Sequence, residues 1–192
     1  MAREALSGWI STETIRARID KGPADRWGRL PADLFAAVPG KSRPADVTAG
    51  LIEAGWALAD PETLSGPCLR PYLALEDKAR RAGLGLWADA RYKIVQAIDV
   101  AGLKARAGEH VLVEGKVLSV RNWRNLTFVN FARRRGEGLS LLATARRLRA
   151  FEQSGTSLQS LTGKTIRLRG LVEDRNGPRM VLPARAAVEL VE

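Results

Sequence analysis

The sequence has little of several things that catalysis and anchoring need. Its one cysteine, Cys68, cannot close an internal disulfide, and it stands beside Pro67 without a second thiol or a nearby histidine. Its one histidine, His110, excludes any site within a single chain that needs two imidazoles, and a Ser/His/Asp triad could be built on it alone. No apolar run is long enough to span a bilayer. Residues Met1 to Ile10 lack the apolar core of a signal peptide, so the chain as written is expected to stay where it is made, in the cytoplasm; a longer precursor would be expected to be exported. Acidic residues are also scarce, but unevenly so. Residues 1 to 100 hold 14 Lys/Arg against 13 Asp/Glu, whereas residues 101 to 192 hold 17 against 8.

The net charge of +10 is therefore +1 in the first half and +9 in the second. Such asymmetry points to a polyanionic partner for the second half. Nucleic acid ranks ahead of an anionic membrane surface, because no basic amphipathic helix with a broad apolar face accompanies the charge. A well-solvated basic surface is the bland alternative. The 45% hydrophobic content over 192 residues is ordinary for a globular protein of one large or two small domains.

In chain order, Ala2 to Ile10 sets Ala5, Leu6, Trp9 and Ile10 along one side of a short helix. Ile15, Ala17 and Ile19 alternate with Thr14, Arg16 and Arg18, which is a strand, and Arg29 to Val38 returns as a second one with Pro31 confining it to an edge or a bulge. Ser42 is the expected cap of a helix with Pro44 in its first turn, burying Val47, Leu51 and Ala54. Pro71 begins another, with Tyr72, Leu75, Ala79 and Ala82 on one face, Glu76 and Asp77 four residues before Arg80 and Arg81, and Gly83 ending it. The boundary between halves is placed at residues 98/99.

The stretch from His110 to Arg135 combines alternation, aromatic rings and positive charge. Val111, Val113 and Val117 share one parity, Gly115 marks a bend, and a turn at Asn122 to Asn125 leads to the β-branched and aromatic run Leu126 to Phe131. Gly138 to Thr144 is a third strand, and Ala145 to Gln153 a helix capped by Thr144 with Leu148 and Phe151 inward. In Gly163 to Glu173, Ile166, Leu168, Gly170 and Val172 oppose Arg167, Arg169, Leu171 and Glu173. Asp174 to Gly177 is a turn, and Arg179 to Leu190 a last strand interrupted at Pro183. Three strands, a helix and two strands is the order of a five-stranded oligonucleotide-binding barrel. Such a barrel lays bases on rings while cations track phosphates. Trp123 in the turn, flanked by Arg121 and Arg124, is one candidate platform; of Phe128 and Phe131, which have opposite parity, Phe128 is favoured because Asn130 shares its side. Arg133, Arg134, Arg135, Arg167 and Arg169 complete the expected phosphate-tracking set, the alternative for each being a solvated face.

Three ordered matches in the first half carry a resemblance. The run Ile19-Asp-Lys-Gly-Pro-Ala-Asp-Arg-Trp-Gly-Arg29, then Gly50-Leu-Ile-Glu-Ala-Gly-Trp-Ala57, then Glu76-Asp-Lys-Ala-Arg-Arg-Ala-Gly-Leu-Gly-Leu-Trp87, resembles the C-terminal part of the staphylococcal thermonuclease-like family. The resemblance implies a barrel with three helices and calcium-dependent cleavage of DNA or RNA by aspartates, a glutamate and two arginines. Arg29 matches one of those arginines, with the role of neutralising charge on the phosphate in the transition state; a structural role is the alternative. Arg26 and Trp27 fall where the family places a basic residue and a ring beside the nucleotide. The family's first three strands, which carry its calcium ligands and its other arginine, would precede Ala2, and neither Asp20 nor Asp25 replaces them, because both flank the matching turn. Its tyrosines are also missing, Ala59-Asp-Pro-Glu standing there.

The resulting expectation is α+β and mainly β: a truncated thermonuclease-like part at 1–98, of one β-hairpin and three helices, followed by a five-stranded barrel at 99–192. The expected function is nucleic-acid binding, single strands before duplex, with no metal or cofactor held by this chain and no membrane. A partner chain or a second copy would cover the open edge of the first sheet. Two alternatives stand beside it: a calcium-dependent phosphodiesterase whose metal-binding part lies upstream, and a protein-binding scaffold.

Overall fold

The computed structural model describes residues 2–12, 14–19, 22–37, 40, 42–60, 69–153, 155–183 and 187–191. It is a mixed α and β protein with five α-helices and three sheets among those residues. Two compact units divide it: Met1–Ala59 with Pro67–Ala90, and Asp60–Gly66 with Arg91–Glu192. Cys68, Asp20 and Val38 lie outside the described residues.

The first unit opens with helix α1, Ala2–Thr12. Strands β1 (Ile15–Ile19) and β2 (Ala32–Ala36) form an antiparallel hairpin, to which the two-residue strand β3 (Ala45–Asp46) adds at the far edge of β2. Sequence alternation anticipates the hairpin but not this third strand. Helix α2 (Val47–Glu53) is capped by Asp46, whose Oδ1 accepts from Ala49 N at 3.0 Å, and not by Ser42. Asp46 leaves the strand in extended geometry, which is what a cap needs. The helix buries Val47 and Ile52, while Ala54 is exposed past its end.

Helix α3 (Leu69–Arg81) begins two residues before Pro71, which sits in the first turn, where a missing N–H costs nothing. Asp77 pairs with both Arg80 and Arg81, and Glu76 turns inward instead, accepting from the Ala59 backbone N–H at 2.6 Å; Ala82 is exposed. Gly83 leaves the helix at φ 64°. Gly55 and Gly85 then meet backbone to backbone, Leu86 N donating to Gly55 O at 2.8 Å, and a Cβ on either glycine would collide with the other segment. This seam folds Trp87 back into the buried set with Ala36, Ile52, Leu69 and Ala79.

The second unit begins with strand β4 (Val95–Gln96), which runs parallel to β5 (His110–Lys116); helix α4 (Val100–Ala105) intervenes, capped by Asp99. Strands β6 (Ser119–Trp123), β7 (Leu126–Asn130) and β8 (Ser140–Thr144) follow as a meander, then helix α5 (Ala145–Glu152), capped by Thr144. Strands β9 (Thr165–Leu171), β10 (Glu173–Asp174), β11 (Pro178–Val181) and β12 (Val188–Leu190) complete it.

The expected first strand is thus broken at Val117–Leu118, and the expected last one is two strands. Both differences have one cause. One sheet has the order β10-β11-β8-β7-β6 and the other β12-β9-β5-β4, so the chain passes from sheet to sheet at β5 to β6, at β8 to β9, at β9 to β10 and at β11 to β12. Val117 and Val172 are buried at two of these corners. The sheets wrap one core in which Val113, Val129, Leu141, Phe151, Ile166, Leu168 and Met180 are almost wholly excluded from solvent, each such side chain contributing about 1.5 to 3 kcal/mol. Gly115 serves packing rather than a bend: a Cβ there would stand 2.5 Å from Ala97 Cβ and 3.0 Å from Phe131 Cδ1. The arrangement is barrel-like, with neither sheet closed on itself.

Candidate functional site

Strand register decides which side chains share the outer face of the five-stranded sheet. Alternation sends Thr127, Val129, Leu141 and Ala143 to the core and turns their neighbours outward. Ser119, Asn130, Ser140 and Arg179 then form one row across the strands, Arg121, Phe128, Leu142 and Val181 the next, and Trp123, Leu126 and Thr144 a third. Four residues separate the first row from the third, roughly 13 Å at the rise of a strand.

A groove of about 510 Å³ follows this face. Its floor is apolar, with Leu126, Phe128, Leu142 and Pro178, and Trp123 stands in its wall 58% exposed. Arg121, Arg135, Arg175 and Arg179 also line it, and no carboxylate does. Arg179 is held by Glu173 at 2.7 Å, whereas Arg121, Arg135 and Arg175 have no ion-pair partner among the described residues. The polar row is ordered by its own hydrogen bonds: Ser140 Oγ donates to Asn130 Oδ1 at 3.2 Å, and Asn130 Nδ2 donates to Ser119 Oγ at 3.5 Å.

The cationic end is built by two loops. Arg135 and Gly136 belong to the β7–β8 connection, and Arg175, Asn176 and Gly177 to the β10–β11 turn, where Asn176 and Gly177 have φ of 59° and 109°. Because β11 lies parallel beside β8, this turn reaches the same end of the sheet as the β7–β8 connection.

Trp123 is the last residue of β6 and not part of a turn; the reversal is confined to Arg124 and Asn125, with Arg124 in the left-handed region at φ 53° and its guanidinium 4.7 Å from the centre of the Trp123 ring. Phe131 is in the core and Phe128 faces the groove. Arg133 and Arg134 are exposed on the β7–β8 connection outside the groove lining, Arg134 lying 3.8 Å from Glu137.

Arg167 and Arg169 are elsewhere. They lie on the outer face of the four-stranded sheet with side chains only 14% and 10% exposed, Arg167 bonded to Glu114 at 3.0 Å and Arg169 to Glu189 at 2.8 Å. They form neither a solvated face nor part of the groove, because carboxylates on the adjoining strands β5 and β12 meet them. Arg175 and Arg179, absent from the expected set, take their place. The Asp-Arg-Asn-Gly turn signal marks Arg175 as a loop residue, but only the crossover pairing of β11 brings it to the groove.

In the first unit, Arg26, Trp27 and Arg29 occupy the hairpin connection. Asp25 organises it: Oδ1 accepts from Trp27 N at 2.8 Å and Arg29 N at 2.9 Å, and Oδ2 from Arg29 Nε at 2.7 Å. The Arg29 backbone N–H, then its side chain and the Trp27 N–H, hold the Asp25 carboxyl below its usual range. Arg26 and Arg29 lie 3.8 and 4.6 Å from the Trp27 ring centre, and the ring is 63% exposed. The partner of Arg29 is therefore a carboxylate of its own loop. Calcium, which the family resemblance implies, has no fit here: no group of three or more His, Cys, Asp or Glu among the described residues could hold a metal. Nor is any helix among them long and apolar enough to cross a membrane.

No protein-family model matches the chain, and no curated protein is significantly similar to it. Among solved structures it is similar to the OBody AM1L10 bound to hen egg-white lysozyme, at 18% identity over 45% of this chain and 83% of that one, with a TM-score of 0.33. A chain of the S. pombe Stn1-Ten1 complex aligns at 9% identity over 43% of this chain and 57% of that one, TM-score 0.32. The aspartyl-tRNA synthetase of Entamoeba histolytica aligns at 12% identity, TM-score 0.38, over 54% of this chain, which spans only 22% of the synthetase. These likenesses are slight.

Proposed function

We propose that this protein binds single-stranded nucleic acid along the groove of the five-stranded sheet. The observation that carries the proposal is the groove's composition: an apolar floor with Phe128, an exposed Trp123 in the wall, four arginines and no carboxylate. Rings that stack on bases contribute about 1 to 3 kcal/mol per base without regard to sequence, and unpaired guanidinium groups take the phosphates. Strand order supports reading the second unit as an oligonucleotide-binding barrel, since β8 pairs parallel with β11, β5 pairs antiparallel with β9, and a helix follows the third strand of the meander. For the first unit the three sequence matches support a thermonuclease-like part, with Arg26, Trp27 and Arg29 as a nucleotide contact of that unit by itself and no autonomous metal-dependent cleavage assigned.

The test is equilibrium binding of a fluorescent single strand to the full chain at increasing salt. Log affinity is expected to fall linearly with log salt at about 0.7 per phosphate neutralised. Duplex of the same sequence is expected to bind more weakly, because paired bases cannot reach the rings. No binding at low salt overturns the proposal.

A further inference from the structure

The groove is not uniform along its length. Trp123 and Phe128 occupy one end, on rows three and two of the sheet. Arg135, Arg175 and Arg179 gather at the other, where the β7–β8 connection and the β10–β11 turn meet. The nearby carboxylates are all engaged: Glu173 with Arg179, Asp174 with Lys104 at 3.7 Å, and Glu137 with Arg134. With Arg179 offset by Glu173, two unpaired positive charges remain at this end.

A strand passing straight through would present one negative charge per phosphate, evenly spaced. A site with three of its four lining arginines at one end, and only Arg121 in the row of Phe128, matches a different ligand, one that carries extra charge at an end. A terminal phosphomonoester carries about 1.5 to 2 negative charges near neutral pH and three acceptor oxygens, against one charge for an internal diester. Planar guanidinium groups pair with such a group bidentately.

We infer that the groove recognises the phosphorylated end of a single strand, the terminal phosphate lying among Arg135, Arg175 and Arg179 and the adjoining bases on Phe128 and Trp123. The inference rests on the groove being the nucleic-acid site. Asn130 and Ser140 lie in the row of Arg179, next to the row of Phe128, where the terminal nucleotide would pass.

The experiment compares four forms of one short oligonucleotide on the full chain: 5′-phosphate, 3′-phosphate, both ends hydroxyl, and circular. Tenfold or greater preference for one phosphorylated form over the hydroxyl form supports the inference and identifies the end. Arg175→Gln is then expected to weaken the preferred phosphorylated form at least tenfold more than the hydroxyl form, erasing the preference, whereas Trp123→Ala lowers all forms alike. Equal binding of all four overturns end recognition and leaves single-strand binding standing. Failure of all four to bind overturns both.

Discussion

Gly177 is pressed against Gly136: a Cβ added to it would lie 2.7 Å from the Gly136 Cα. This contact between two turns fixes the cationic end of the groove, and only glycine permits it, because Gly177 also holds φ at 109°. Gly177→Ala is expected to destabilise the protein by about 1 to 3 kcal/mol, or roughly 2 to 10 °C in melting temperature for a chain of this size. Gly163, at φ 81° with open space around it, is the control; Gly163→Ala carries conformational strain alone and is expected to cost about 1 kcal/mol. Thermal unfolding followed by circular dichroism separates the two.

Trp123 has little to do with holding the fold, being the exposed end of β6. Trp123→Ala is expected to weaken single-strand binding by roughly 5- to 150-fold, the loss of one stacked base. Stability should change by no more than about 0.5 kcal/mol. Binding isotherms and a melting curve on the same preparation check both halves of the expectation.

The arginines divide by sheet. Arg121→Gln removes an unpaired guanidinium from the groove and should reduce the salt slope of binding by about 0.7. Arg167→Gln, by contrast, leaves Glu114 and part of Glu189 without their cation on a face where all three are largely shielded. It should leave the salt slope unchanged and cost about 1 to 3 kcal/mol of stability, less than for a fully buried pair.

The Asp25 carboxyl titrates below its ordinary range because backbone N–H groups and the Arg29 side chain favour its charged form. The lowered folded-state pKa places its contribution above the unfolded pKa, to be lost as pH falls through the folded one. The Trp27 and Arg29 backbone amide resonances should therefore hold steady from neutral pH down through the usual aspartate range and shift only below it. In Asp25→Asn that acid transition should vanish.

How much of this was legible in the sequence depends on the range of the interaction. The period of Ile166, Leu168, Gly170 and Val172 reports a local fact, the alternation of a strand, and the structure follows it. The same period says that Arg167 and Arg169 point outward but not what meets them, since Glu114 is 53 residues from Arg167 and Glu189 is 20 from Arg169. Likewise Asp174 to Gly177 reads as a turn from composition, while its place beside Gly136 depends on parallel pairing across α5. Asn122 and Asn125 place Trp123 in a turn by local composition; the strand ladder instead runs to Trp123↔Leu126 and leaves only two residues to turn. Ser42 and Pro44 offer a stronger local cap signal than Asp46, and the two-residue strand β3 overrides it.

The most direct measurement is a two-dimensional NMR titration of the full chain with a short single-stranded oligonucleotide, reading which backbone amides move. The account expects the shifts to gather on Arg121 to Asn130, Ser140 to Leu142 and Arg175 to Arg179, with the ladder of Glu114, Arg167, Arg169 and Glu189 undisturbed. Shifts concentrated on that ladder, or none at saturating oligonucleotide, would contradict it.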